Sequence, residues 1–147
     1  MLSMSTYPQD YIDSCRRLVD SQLASYRALV AGTGEPGGDR AGLDAAVADF
    51  EPRLLNSMVL VLDQLFVHRA RGKEGKDGNP LNEVRVLCRS ILENDGVMVA
   101  DKSINLSPAT SVLEHTVGDR IGLTPSDFAL LSGAYFAEIE RRFAEPS

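Results

Sequence analysis

The chain has 147 residues, 44% of them hydrophobic and 24% charged, with a formal net charge of -6. That length allows one domain to bury a core without disulfide or metal staples, and the composition is that of a soluble globular protein with disorder confined to short pieces. The acidic balance argues against general binding to nucleic acid or anionic membranes, because the mean field repels phosphate.

The opening MLSMSTYPQD carries neither a basic stretch nor an apolar run, so no secretory signal is expected and a cytoplasmic location is. Twelve Arg against three Lys fits GC-rich codons and a bacterial source. Tyr11, Ile12, Cys15, Leu18, Val19, Leu23, Tyr26, Leu29 and Val30 recur at three and four residue steps, which predicts a first helix over 8–30. Gly32 and Gly34 suit its end, and a flexible Gly/Pro-rich loop is expected over 32–42. A short helix over 43–49 should turn Leu43, Val47 and Phe50 inward.

Pro52 suits the first turn of a third helix reaching His68. From Leu54 to Val67 it is apolar on nearly every side apart from Asn56, Ser57, Asp63 and Gln64, so it should be central in its domain or shared with a second subunit. It is too short, and too interrupted by Asp63, for the roughly 20 apolar residues of a membrane span. The basic, glycine-rich loop over 69–79 follows, and Asn79-Pro80 starts a fourth helix as side-chain cap and first helical residue. Leu81, Val84, Leu87, Cys88, Ile91 and Leu92 form its inward stripe.

Over 97–123 the pattern changes. The pairs Val97/Val99, Ile104/Leu106 and Ile121/Leu123 alternate between turn residues and predict short strands, with one helical turn at Ser107-Pro108. Thr124-Pro125-Ser126-Asp127 then opens a last helix with Phe128, Leu131, Tyr135, Ile139 and Phe143 on one stripe. Arg141 and Arg142 in its last turn should offset the helix dipole. The expected fold is a single mainly α domain over 1–147, a bundle of four to five helices around the central apolar helix, with a small antiparallel β element between the last two.

Chemistry is sparse. Two His and two Cys at unrelated spacings point away from a transition-metal site, and Pro80 breaks the calcium-loop resemblance of Asp77-Gly78-Asn79. Cys15 and Cys88 fall on apolar stripes and read as buried core thiols. No G-x-S-x-G elbow, P-loop or dinucleotide fingerprint occurs, so no catalytic residue and no cofactor are assigned.

The one segment with a plausible site is the loop, where Arg69, Arg71, Lys73 and Lys76 against the single acid Glu74 make a net +3 over residues 68–76. Positive charge beside glycine backbone and a helix N-terminus suits a small anion, with Arg69, Arg71, Lys73, Lys76 and Asn79 as the contacts. The plainer reading is a solubilising turn. Nucleic acid ranks lower, since the loop lacks an aromatic residue for base stacking and Glu83 and Glu93 interrupt a positive face. The leading expectation is a non-enzymatic helical domain acting through self-association or docking on a partner protein.

Overall fold

The computed structural model describes residues 3–32 and 40–146. Most of the glycine-rich stretch expected over 32–42 lies outside them. The described chain is mainly helical: α1 (Gln9–Gly32), α2 (Arg40–Leu65), the single turn α3 (Arg71–Glu74), α4 (Pro80–Glu93) and α5 (Pro125–Phe143).

The caps read from the sequence form as local chemistry dictates. Asn79 accepts from the amides of Leu81 and Asn82, and Thr124 and Asp127 close a reciprocal capping box at the start of α5.

One boundary is corrected. The short helix over 43–49 and the helix beginning at Pro52 are one continuous α2, with Pro52 inside it. Proline removes the bond to the carbonyl four residues back, that of Ala48, but Ala48 is exposed and water can take its place. Of the predicted inward residues of that first half, Leu43 and Phe50 face out instead, 38% and 51% exposed, and Val47 is half-buried.

The core is a continuous cluster. α2 packs against α1, α4 and α5 and contributes Leu55, Met58, Val59 and Leu62 to it, with Phe66 just past its end, while α1 and α4 both also pack on α5. Tyr7 and Tyr11 pack against Phe66, and Tyr135 and Phe136 also surround that ring. The N-terminal segment clasps two junctions: Met4 exchanges backbone hydrogen bonds with His68 and Ala70, and Tyr7 with Phe143 and Glu145. Among the described residues no helix is long and apolar enough to cross a membrane.

The expected antiparallel β element is not there. Among the described residues the 97–123 segment holds a single antiparallel bridge, Val97 to Arg120, and no strand. Side chains from the helices take backbone groups that a neighbouring strand would otherwise have paired. Ser90 Oγ accepts from the Val99 amide, Asn56 bonds Ile121 and Leu123, and Glu83 accepts from the amides of Val112 and Leu113. Alternation also fails at Val97/Val99, where Met98 between them is the buried residue. Ser107 does open a turn, its carbonyl accepting from Thr110 and Ser111.

Candidate functional site

The basic loop is built from the inside out. Glu74, the only acid among its cations, is fully buried and sits between two arginines: Arg69 Nε donates to Oε1 at 2.8 Å, and Arg85 Nη2 to the same oxygen at 2.6 Å. Asn82 Nδ2 donates to Oε2 at 2.8 Å. Burial alone would raise this carboxyl's pKa, but the hydrogen bond from Arg85 and the charge of Arg69, with Asn82, hold it below the ordinary carboxylate value.

Arg69 is only 2% exposed and spends its remaining donors on Asp63 Oδ1 at 3.0 Å and the Phe66 carbonyl, with Tyr135 beneath its guanidinium. Such a desolvated arginine is held by its acids. It is not turned toward the surface of the loop.

The other nominated residues separate. Asn79 is buried, its oxygen used in capping α4 and its amide nitrogen donating to the Glu74 carbonyl and to Asp77. That last hydrogen bond is the main reason the Asp77 carboxyl titrates below its usual value. Lys73 is exposed and reaches the Ser5 carbonyl while its ammonium lies 5.5 Å from the centre of the Phe143 ring. Arg71 and Lys76 are exposed. Three of the five residues therefore share the loop surface, and two are bound into the structure beneath it.

Arg142 does more than oppose the dipole of α5. It reaches from α5 across to the end of α3, donating to the Glu74 carbonyl at 3.1 Å, and pairs with Asp77 at 3.4 Å. Its Nε lies 3.3 Å from Glu138, close enough for an ion pair but without hydrogen-bond alignment. Arg85 and Asn82 carried one signal in the sequence: polar side chains just inside a helix start, beside a loop whose lone acid needed partners.

A second feature lies on α2. Its core-facing residues include Val59 and Leu62. Leu43, Val47, Phe50, Leu54, Ser57 and Val61 recur at alternating steps of four and three, and Val61 lies about 200° around the helix from Val59. That outer stripe is exposed or half-buried along its length. Beside it α1 offers Leu18 and Leu29, 45% and 66% exposed, and an open groove of about 430 Å³ runs between Ser21, Gln22 and Ser25 of α1 and Leu54, Met58 and Val61 of α2.

Among the described residues no three His, Cys, Asp or Glu side chains converge as a metal site would require. Compared with protein-family models, with curated proteins and with solved structures, the chain matches none of them.

Proposed function

We propose that this chain is a docking domain and that the occupant of its docking surface is a second copy of itself. The observation that carries the reading is that α2 is apolar on two opposite faces, and only the face through Val59 and Leu62 is fully buried, the other being exposed or half-buried. The outer face is the same on every copy. Two such α1–α2 layers laid together about a two-fold axis make a four-helix arrangement, with Phe50, Leu54 and Val61 in its seam. Its charge works the other way at long range, since two chains of -6 repel, so association should tighten as salt screens them.

Sedimentation equilibrium over a wide range of protein concentration tests the proposal. The expected result is a rise from monomer to dimer mass that Phe50→Glu abolishes without changing the circular dichroism spectrum. A wild-type chain that stays monomeric at every concentration and salt level rejects self-association. The reading then passes to docking on a different protein through the same stripe.

The anion reading of the basic loop now rests on Arg71, Lys73 and Lys76 rather than on five contacts. Nucleic-acid binding has the same three cations.

A further inference from the structure

The 97–123 segment does more than connect α4 to α5. With Val86 of α4 it lines a partly open cavity of about 250 Å³. The walls are mostly apolar, with Met98, Ile104, Leu106 and Val117 among them, and four polar side chains also line it: Asp101, Ser107, His115 and Thr116. The frame is tied down from several sides. Glu83, itself 1% exposed, accepts from Ser111 Oγ and from the amides of Val112 and Leu113 at 2.7–3.0 Å. Asn105 donates to the Lys76 carbonyl, and Thr116 is fastened to Asp119. A hollow held open by this many bonds is preformed.

The polar lining is unequally occupied. Asp101 spends one oxygen on the amide and hydroxyl of Ser103, and its other oxygen faces Arg89 at 3.9 Å. Ser107 Oγ shares a hydrogen with Thr110 at 3.4 Å. His115 is different: its Nδ1 is buried with no hydrogen-bond partner. Leaving a buried polar nitrogen unpaired costs free energy that a bound group able to reach it would recover. A histidine ring turns readily between two orientations about its last torsion, so either nitrogen can be presented to a ligand.

We propose that this cavity is a binding site for a neutral small molecule with an apolar body and a single hydroxyl, which exchanges a hydrogen bond with His115. The size fits: a dry cavity of about 150 Å³ holds benzene, so this one takes a ring with a few substituents and is too small for a drug-sized ligand. The charge fits as well. An anion would meet the Asp101 carboxylate in the wall, whereas a hydroxyl can donate or accept and so suits either form of the imidazole.

Phenol and toluene, equal in heavy-atom count and differing only in the polar group, are the probes. In amide-resolved NMR titrations of the full chain, phenol should shift residues 98–117 saturably and bind roughly three- to tenfold tighter than toluene, the advantage of one hydrogen bond. His115→Phe should keep toluene binding and erase the advantage, and Ala100→Phe, which fills the cavity from its exposed rim, should weaken both ligands. The His115 ring carbons in the wild type should move with phenol and not with toluene, which decides the matter if a variant fails to fold. The inference is overturned if phenol gives no saturable shift, if the two probes bind equally, or if the His115 ring is indifferent to phenol.

Discussion

Arg69 and Glu74, five residues apart in the chain, meet at 2.8 Å with both side chains fully withdrawn from solvent. The pair ties the connection after α2 to α3, and Arg85 extends it to α4. Removing one member of such a pair strands a charge in the interior, so Glu74→Ala should cost about 3–5 kcal/mol in denaturant unfolding, far more than the same change at the exposed Glu93.

The same carboxylate makes stability depend on pH with a definite sign. Its pKa in the folded chain is lowered from 4.5, so its contribution is fully present above that value and is lost as pH falls through the lower, folded one. The stability gap between wild type and Glu74→Gln should therefore be widest near neutral pH and narrow on acidification below about 4.5. A gap that is flat with pH would show that the carboxylate's charge is not what the arginines hold.

Leu62 is completely buried in the middle of α2. Leu62→Ala should cost about 2–5 kcal/mol, the range for emptying a leucine site in a packed core. The loss should be the same at every protein concentration, because Leu62 belongs to the core cluster and not to the outer stripe. The check is a set of denaturant melts at several concentrations.

Gly78 has a φ of +84°, and a Cβ there would lie 2.5 Å from the Asn105 carbonyl oxygen. Gly118 has a similar φ of +95° but open space around it. Alanine at 118 should cost only the left-handed backbone strain, about 1–2 kcal/mol, and alanine at 78 clearly more, because a backbone must also move. Equal losses in thermal melts would mean the Asn105 segment yields freely.

Both thiols should be silent in the native chain. Cys15 and Cys88 are free and buried, and burial, with Asp63 adding to it, pushes the Cys88 thiol up to about 12. A disulfide reagent at pH 8 should react slowly with the folded protein and release two equivalents on denaturation, since only the thiolate attacks. Fast reaction of one thiol without denaturant would show that its cover opens.

Phosphate at low ionic strength tests the loop directly. With Arg69 and Asn79 committed elsewhere, any amide shifts should centre on Arg71, Lys73 and Lys76, and replacing those three by Gln should remove them. Shifts that persist in that variant would place the anion away from the loop.

Local chemistry was legible where one stretch of chain supplies all the parts. The caps at Asn79 and Thr124 are written in consecutive residues, and the stripe Phe128, Leu131, Tyr135, Ile139, Phe143 is completely buried as its spacing requires. What the sequence could not decide was which of several equally apolar faces would be covered. Leu43, Phe50 and Leu92 satisfy the helical period as well as Leu62 does, yet they are left 38%, 51% and 70% exposed, Phe50 touching only the edge of α1 at Tyr26.

The same holds for Arg69 and Arg71. In the chain they are two cations in one basic loop, and only the position of Glu74 beneath it sends one into the core and leaves the other in water. The strands failed for a related reason: alternation expresses burial on one side, but a strand also needs a partner backbone. Here Ser90, nine residues away, and Glu83 and Asn56, tens of residues away, supplied side-chain hydrogen bonds in its place. Periodicity and capping act between residues a few positions apart, so the sequence states them outright. Pairing across tens of residues is settled only when the folded chain brings the groups together.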